Sequence, residues 1–180
     1  MIEKGGCESL EKVTPRNDIA TSRRQHLEKN ATVSDSEREK LEHITTIRED
    51  LAGKKHPDTG VLYRKRIVET SDGKQVEGVF PKFPSVYDTK LSPEQYKASD
   101  AVQFNTCKQK LKESVNNNPD MRSKFNAKQL GQIENGDRPS GYTWHHNEKQ
   151  GRMQLVPTEV HSKTPHTGGR SIWGGGSDYR

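Results

Sequence analysis

The first third of the chain begins with a polar segment and continues with one clear helical pattern. Residues 1–33 are polar and show no hydrophobic period, so we interpret them as a linker or a disordered extension. From Ser34 to Ala52, apolar residues recur every three or four positions, which is typical of a helix with one buried face. Ser34 and Glu37 match a capping box at its start, and Gly53 can close its end. The apolar stripe consists of Leu41, Ile44, Ile47 and Leu51.

The next pattern, over residues 60–80, predicts a β-hairpin. Two apolar runs flank a turn at residues 71–74 that contains an Asp-Gly pair, and such a pair favours a tight reversal of the chain. Three consecutive cations, Arg64, Lys65 and Arg66, fall on the first strand. A run of this kind is either a solvated face or a contact for nucleic-acid phosphates, and both alternatives stay open. We expect the segment that follows, residues 80–84, to be an extended link.

Helical patterns return between residues 92 and 134. Residues 92–117 are predicted to be helical, because Ser92 as N-cap and Pro93 at the first helical position are strong start signals. The pattern fits one continuous helix, or two helices with a break at residues 99–100. A further short helix is expected at residues 126–134.

The C-terminal part of the chain predicts a hairpin followed by a helix. The pattern gives a short strand at residues 142–146, a polar turn closed by Gly151, and a second strand at residues 153–156. Thr158 is the expected N-cap of the helix that follows. The predicted fold class is therefore α+β, with a ββα unit at about residues 141–165 supported by the helices at 34–52 and 92–117.

Composition limits the core and indicates the kind of partner. Only 27% of the 180 residues are hydrophobic, so we expect a small core with much irregular structure. The formal net charge of +5 and a pI near 9.1 fit a polyanion such as nucleic acid. Cys7 and Cys107 match neither a disulfide framework nor a zinc spacing, so both are expected to be free thiols. No apolar run is long enough for a Sec-type signal or a membrane span.

Histidines are concentrated in the predicted ββα unit. Four of the seven fall within 22 residues: the adjacent pair His145 and His146 on the first strand, then His161 and His166. Neutral imidazoles suit Zn²⁺ or a similar transition metal, whereas Mg²⁺ prefers oxygen ligands. Hydrolysis of a phosphodiester needs a base to activate water and positive charge to stabilise the transition state. Histidine is the usual base near neutral pH, because its unperturbed pKa is about 6.5.

This histidine segment resembles the WHH-type nuclease domains of the HNH/endonuclease VII superfamily, the ββα-metal (His-Me finger) nucleases found in bacterial polymorphic toxins. The resemblance is specific from about residue 141 to 176 and weaker at residues 56–61 and 78–81. The motifs that carry it are Trp144-His145-His146, Leu155-Val156-Pro157, His161, His166, and Gly168-Gly169-Arg170 with Trp173. It implies a nuclease domain at residues 34–180, with its ββα-metal core at about 141–176 and an upstream β-hairpin.

The resemblance also implies a role for each histidine. In the colicin-type members the first histidine of the pair is a metal ligand and the second is the general base, which makes His145 a ligand and His146 the base. His161 and His166 then complete the site of one divalent metal ion, with Zn, Mg, Mn and Ni all open. The catalytic set also contains a residue that orients the base; Asn147 and Gln154 are the candidates, and Gln154 is favoured.

Two spacings restrict how these histidines can be arranged. His161 and His166 are five positions apart with Pro165 between them, which is a poor spacing for a shared face of a regular helix. His166 is therefore expected past the helix end, or in contact with phosphate and not with metal. Adjacent residues of a regular strand point to opposite faces. His145 and His146 can then serve one site only if the strand is bulged or ends there.

Three cations near the histidines are candidates for contact with substrate phosphate. Arg170 follows two glycines that let the backbone approach closely, and it is either a phosphate ligand or a plain surface arginine. Arg152 and Lys149 are the other two candidates. We expect Trp144 to belong to the hairpin core, and not to be a platform on which a base stacks. Trp173 is expected to be a packing anchor for the C-terminal tail.

The leading hypothesis is a metal-dependent endonuclease that hydrolyses DNA and acts as an antibacterial toxin. An RNase of the same fold is one alternative, and a non-catalytic nucleic-acid-binding module with a structural metal is the rival class. The resemblance implies delivery into a target cell by a specialised system, and a cognate immunity protein, expected to be acidic because the toxin is basic. The helix predicted at residues 34–52 either packs on the domain or docks that inhibitor. The domain is otherwise expected to be a monomer.

Overall fold

Two three-stranded sheets and five helices make up residues 41–179, the part of the chain that the computed structural model describes. The strands are β1 (Glu42–His43), β2 (Leu62–Glu69), β3 (Gln75–Lys82), β4 (Tyr87–Lys90), β5 (Tyr142–His146) and β6 (Arg152–Pro157). The helices are α1 (Asp100–Asn117), α2 (Pro119–Arg122), α3 (Ala127–Glu134), α4 (Thr158–Ser162) and α5 (Gly169–Ile172), with 3₁₀ turns at Glu49–Leu51, Pro93–Gln95 and Gly176–Tyr179. The first sheet has the order β1-β3-β2 and the second β4-β6-β5. The predicted α+β class is confirmed.

Several expectations lie outside the described residues. They are the linker at residues 1–33, the free thiol of Cys7, and the capping box of Ser34 with Glu37. The described residues all belong to one compact unit, Leu41–Arg180. No helix in the described range is long and apolar enough to cross a bilayer.

The prediction of a helix at residues 34–52 is wrong for residues 41–52, the part of this segment that the structure describes. Those residues form strand β1, which pairs in parallel with β3, and a single 3₁₀ turn. The Thr46 hydroxyl accepts a hydrogen bond from the Val79 N–H at 3.2 Å, which ties this segment to the hairpin. The expected stripe does not share one face, because Leu51 is buried while Ile47 is 51% exposed. Pairing with the sheet edge therefore overrides the local helical pattern.

The hairpin predicted at residues 60–80 is confirmed as β2 and β3, which pair in antiparallel register. Its turn contains Gly73 at a φ of 81°, where a residue with a Cβ would be strained. β3 continues to Lys82, so the first half of the expected extended link is strand. Arg64 and Lys65 are exposed, whereas Arg66 pairs with the buried carboxylate of Glu148 at 3.0 Å.

The helical region at residues 92–117 is divided, which was one of the two alternatives. A 3₁₀ turn begins after the expected N-cap, Ser92, and α1 starts separately after its own N-cap, Ser99. The short helix predicted at 126–134 is confirmed as α3, capped by Asn126. The break before α1 matters for the site, because it places the first turns of α1 against strand β5.

The ββα unit is confirmed as β5, β6 and α4. The turn between the strands contains Gly151 at a φ of 72°. Pro157, and not Thr158, occupies the N-cap position of α4. β4 pairs with the second edge of β6 and was not predicted, because a four-residue run at Tyr87–Lys90 is too short for a clear alternating pattern.

The main core joins both sheets to α1. Trp144 and Trp173 are buried in it, as expected, and the Trp173 Nε1–H donates to the Asn147 carbonyl at 2.8 Å. Cys107 is a buried free thiol, as expected, and burial raises its pKa to about 12. A separate small cluster consists of Val61, Phe83 and Val156.

Candidate active site

Strand β5 directs its two adjacent histidines to opposite faces of the sheet. β5 pairs regularly with β6, with His145 opposite Gln154 and His146 opposite Met153. Cross-strand partners share a face, so His145 lies with Gln154 and His146 lies with Met153. β5 ends at His146, and both histidines border one cleft of about 390 Å³. β5 is therefore not bulged. The two side chains border the same cleft because the strand ends at His146.

On one side of the cleft, His145, His161 and His166 converge. Their candidate ligand nitrogens all lie within 4.8 Å of one another. His161 Nε2 is 3.3 Å from His145 Nδ1. Two nitrogens held by one tetrahedral zinc, each at about 2.0–2.1 Å, lie about 3.3–3.4 Å apart. The arrangement therefore fits a shared metal ion, with His166 past the end of α4 as the sequence required.

The tautomer of His166 is set by its backbone partner. His166 Nδ1 is 2.7 Å from the carbonyl oxygen of Thr164, which can only accept, so Nδ1 carries the proton. His166 Nε2 is then left to present its lone pair to the cluster. The upstream hairpin fixes this loop, because the Tyr63 hydroxyl donates to the Pro165 carbonyl and the Thr59 and Thr164 hydroxyls are 2.9 Å apart. Metal-binding histidines are commonly oriented by such outer contacts.

Burial keeps the three converging imidazoles neutral. Desolvation lowers the pKa of His145 well below its ordinary value, and the neighbouring histidines lower it further. Desolvation also lowers the pKa of His161 to about 4, with His166 adding to the effect. The pKa of His166 is lowered by burial as well. Neutral imidazole is the form that binds metal, so the set is ready to act as ligands near neutral pH.

Phe83 forms an apolar wall beside the three converging histidines. Its ring centroid lies 4.8 Å from that of His145, 5.2 Å from that of His161 and 4.9 Å from that of His166. Such a wall excludes water and contributes to the desolvation of the three imidazoles. Sequence reasoning missed Phe83, because a phenylalanine in a Pro-Lys-Phe-Pro link carries no sign of a site.

His146 faces α1 instead of the other histidines. Its Nε2 is 2.6 Å from Gln103 Oε1 and 3.8 Å from Asp100 Oδ1. The rings of Phe104 and Trp173 pack beside it, with centroids at 5.4 Å and 5.8 Å. The sequence did not predict the parts played by Gln103 and Asp100, because they lie more than 40 positions upstream and only the tertiary fold brings them to β5.

Asn147 and Gln154, the two candidates for orienting the base, instead bond to each other. Asn147 Nδ2 donates to Gln154 Oε1 at 2.8 Å, and Asn147 Oδ1 accepts from the Lys149 N–H at 3.1 Å. Gln154 lies on the sheet face of His145, away from His146. These bonds stabilise the turn between β5 and β6, and the structure does not bring Gln154 to His146.

Arg170 is not a plain surface arginine. Its side chain is buried, its Nη1 donates to the Ala98 carbonyl at 3.0 Å, and its Nε lies 3.2 Å from Asp100 Oδ1. Arg170 also lines the histidine cleft. Its guanidinium therefore adds positive charge at the cleft wall while it holds Asp100 close to His146.

Lys149 and Arg152, the other two candidates for phosphate contact, are not among the residues that line the histidine cleft. They line a different groove, and Arg152 pairs there with Asp88 at 3.1 Å. That groove is completed by Thr89, Lys90 and Gln150. The histidine cleft is lined by Ile47, Trp144, His145, His146, His161, His166, Thr167, Gly168, Arg170 and Ser171.

The cleft thus has two sides that differ in their chemistry. One side offers three neutral imidazoles suited to a metal ion, and the other holds a single imidazole against an amide and a carboxylate. Three imidazoles suited to a metal ion beside a separate imidazole are one arrangement that can support hydrolysis of a phosphodiester.

A comparison of the sequence with known protein families gives a match that includes the histidines of this cleft. A sequence model described as the DNase/tRNase domain of colicin-like bacteriocin matches residues 72–168, just over half of the chain. The match includes the first turns of α1 and all four cleft histidines. No curated protein and no solved structure matches the chain.

Proposed function

The chain belongs to the family of DNase/tRNase domains of colicin-like bacteriocins, and on that premise we propose that it is a metal-dependent endonuclease that hydrolyses DNA. Membership of this family identifies the chain as a nuclease domain of the bacteriocin toxin type. The metal dependence, the preference for DNA and the HNH character with a Trp-His-His motif are our proposals. The observation that carries the metal dependence and the HNH character is the three-histidine cluster in the same cleft as His146. The preference for DNA rests on the resemblance.

We propose that His145, His161 and His166 hold one divalent metal ion. The donor set fits such an ion, because the three imidazoles are neutral and two of their nitrogens have the separation that a shared tetrahedral ion requires. When bound, the ion would supply Lewis-acid stabilisation of the charge that develops on the phosphoryl oxygens. Nitrogen ligands suit Zn²⁺ and similar transition metals better than Mg²⁺.

His146 is the proposed general base. It borders the cleft beside the metal-binding set yet belongs to the other face of β5, so it can take a proton from an attacking water without being a ligand. Phe104 and Trp173 restrict water on its far side. The Arg170 guanidinium at the cleft wall is the proposed source of positive charge for the substrate phosphate.

The proposed setting is a toxin that acts after delivery into a target cell and that is neutralised by a cognate inhibitor in the producing cell. The net charge of +5 fits a polyanionic substrate and an acidic inhibitor alike. Both partners would be attracted over a distance before contact, because the charge is carried by many surface lysines and arginines.

A cleavage assay tests the proposal directly. The purified full chain is incubated with supercoiled plasmid, and in parallel with tRNA, in the presence of Mg²⁺, Mn²⁺, Zn²⁺ or Ni²⁺, with and without EDTA. We expect nicked and linear plasmid that depends on metal and is abolished by EDTA. A His146→Ala preparation made in the same way controls for contaminating nuclease.

Two results would contradict the proposal in different ways. Cleavage of tRNA with intact plasmid would assign the activity to RNA. A plasmid that is retarded on a gel but stays covalently intact under every metal would indicate a binding module with a structural metal.

A further inference from the structure

We propose that Ile47 is a specificity-determining residue: its side chain contacts the sugar beside the scissile phosphate and favours deoxyribose over ribose. This inference rests on the proposed function, because it names how the same cleft distinguishes DNA from RNA. The distinction matters for this chain, since the description of its family covers both DNase and tRNase domains. Ile47 lies outside residues 72–168, so the family match carries no information on this position.

Ile47 is an exposed apolar side chain at a cleft that is lined mainly by polar residues. Within residues 41–179, two large apolar residues are about half exposed, Ile47 at 51% and Val102 at 49%. Isolated apolar side chains on a surface are ordinary, and Val102 on α1 is one of these. Ile47 differs because it lines the cleft that holds the four histidines. Trp144, the other large apolar residue of the lining, is buried, so Ile47 is the apolar group that a ligand in the cleft would meet.

The backbone of Ile47 is anchored to the loop that carries His166. The Ile47 N–H donates to the Thr167 hydroxyl at 3.0 Å, across 120 positions of sequence. Thr167 directly follows His166, one of the three proposed metal ligands, and it lines the same cleft. The phosphorus of a phosphodiester is joined through oxygen to a sugar on either side. A side chain beside the phosphate site therefore meets a sugar first.

An unusual backbone turn directly after Ile47 keeps this side chain in place. Arg48 has a φ of 69°, in the left-handed region that residues with a Cβ rarely adopt, and within residues 41–179 no other non-glycine residue does so. The Arg48 guanidinium donates twice to the Asp50 carboxylate, each time at 2.9 Å. The Thr46 N–H donates to the Glu49 carboxylate at 2.7 Å. Such strain persists only where the surrounding structure fixes it, and it is concentrated at active sites and ligand clamps.

The chemistry of an isoleucine suits deoxyribose better than ribose. The 2′ carbon is a methylene in DNA and carries a hydroxyl in RNA, and this hydroxyl is what lets a protein distinguish the two. Contact with Ile47 would remove water from that carbon. A methylene gains from such burial, whereas a hydroxyl loses its hydrogen bonds to water and finds no partner on Ile47. An enclosed apolar site rejects an added hydroxyl by about 100-fold, and a half-exposed side chain should achieve less.

The first test measures binding of matched oligonucleotides to full chains that all carry His146→Ala, which keeps the strands intact. Fluorescence anisotropy at saturating Zn²⁺ gives the dissociation constants of a single-stranded DNA and of the RNA of the same sequence. The change in their ratio between proteins is compared, so that differences between the strands that do not involve residue 47 cancel. Ile47→Thr keeps the β-branched shape and supplies a hydroxyl that can bond to the 2′ hydroxyl. We expect it to shift the ratio towards RNA by about 3–20-fold. A shift of less than about twofold would overturn the inference.

Two matched variants make this result specific. Ile47→Val shortens the side chain but leaves it apolar, so the preference for DNA should stay within about twofold of its original value. Val102→Thr makes the same kind of change as Ile47→Thr at a residue outside the cleft lining, and it should leave the ratio unchanged. An equal shift in Ile47→Val would trace the effect to side-chain size, and an equal shift in Val102→Thr would trace it to the surface in general. Either result would overturn the inference.

The second test repeats the comparison in single-turnover cleavage, with His146 restored. The ratio of the DNA rate to the RNA rate should fall in Ile47→Thr by about 3–20-fold. The affinity for metal should stay as in the wild type, because Ile47 offers no ligand atom. A ratio of rates that does not change would overturn the inference. A wild-type chain that cleaves neither strand with any metal would refute the proposed function instead, and the binding ratio would still decide whether Ile47 distinguishes the two sugars.

Discussion

At the scale of single residues, the site separates two histidines that are adjacent in the sequence. His145 lies among two other imidazoles and Phe83, whereas His146 lies against an amide and a carboxylate of α1. The alternation of strand side chains produces this separation without any special backbone geometry. Two imidazoles of the same chemical type therefore receive different proposed roles, as ligand and as base.

Removal of a ligand should weaken metal binding before it affects chemistry. In His161→Ala we expect the affinity for Zn²⁺ to fall by more than about 10–100-fold, the loss typical of changing a residue that only orients a ligand. Part of the cleavage activity should return at high metal concentration. Isothermal calorimetry with the metal-free protein measures the affinity. Ser162→Ala, the exposed neighbour on α4, is the control, and equal affinity in both variants would remove His161 from the site.

The same imidazole should make the stability of the metal-free protein depend on pH. The pKa of His161 is lowered from about 6.5 to about 4 by burial, so between these values the unfolded chain binds more protons than the folded chain. The free energy of unfolding should therefore be highest above pH 6.5 and fall as the pH is lowered towards 4. Urea titrations at pH 7, 6, 5 and 4 should show a smaller fall for His161→Gln. Parallel curves for the two proteins would contradict the assignment.

The four histidines could be found from the sequence because spacing and motif mark them, but their supporting residues could not. Gln154 was a reasonable candidate for orienting the base, since it follows the pair at hairpin distance. Strand register places it on the opposite face, where it bonds to Asn147. Gln103, which contacts His146 from α1, lies 43 positions upstream, and no local pattern connects residues so far apart.

At the scale of elements, the three-histidine cluster depends on three segments of the chain that meet only in the fold. β5 supplies His145, α4 supplies His161, and the loop after α4 supplies His166, while the upstream hairpin fixes that loop through Tyr63. The short helix α5 then packs on the turn between β5 and β6. That turn precedes β6 directly, so the position of α5 helps to hold the hairpin that carries the site.

The close approach of α5 to that turn gives a prediction about Gly169. A Cβ there would lie 2.0 Å from the Asn147 carbonyl oxygen and 2.3 Å from Trp173 Nε1, so Gly169→Ala must displace α5 and disrupt the bond between those two groups. We expect a loss of about 1–3 kcal/mol in the free energy of unfolding. Gly131→Ala, in the open on α3, is the control and should gain about 0.5–1 kcal/mol. Urea unfolding measures both, and equal stability of Gly169→Ala and wild type would contradict this packing.

Elements with local signals were predicted well, and elements that depend on pairing were not. The hairpin, the N-cap at Ser92, the short helix at residues 126–134 and the ββα unit all follow from short-range patterns that the structure keeps. The stripe at residues 41–51 has a helical period, yet its residues pair with β3 and bond to it through Thr46. Strand β4 pairs with the edge of β6 that β5 does not occupy. This pairing depends on the sheet and cannot be recognised from residues Tyr87–Lys90 alone.

At the scale of the whole molecule, a net charge of +5 on a small toxin domain favours fast association with acidic partners. We expect an acidic cognate inhibitor whose association rate falls steeply as salt is raised, because charges are screened within about 8 Å at physiological ionic strength. Stopped-flow mixing over a range of NaCl concentrations measures that rate. An association rate independent of salt would contradict a charge-steered encounter.

If the toxin is neutralised by an inhibitor as proposed, the chain expressed without that partner should be toxic. Induction of the wild-type chain in a cell that lacks the partner should stop growth, whereas induction of His146→Ala to the same protein level should be tolerated. The comparison isolates the nuclease, because the two chains differ only at the proposed base. Equal growth at equal expression would argue against a toxin that needs neutralisation.

The central claim is that three imidazoles bind the metal and a fourth, His146, is the base. It is tested most directly by single-turnover cleavage of supercoiled plasmid by His146→Ala at saturating metal, with bound metal measured on the same sample. We expect the metal to bind as in the wild type and the rate to fall by about 10²–10⁴-fold, the scale of losing a general base. More metal should not restore the rate. Cleavage at the wild-type rate, or loss of the metal from His146→Ala, would contradict the claim.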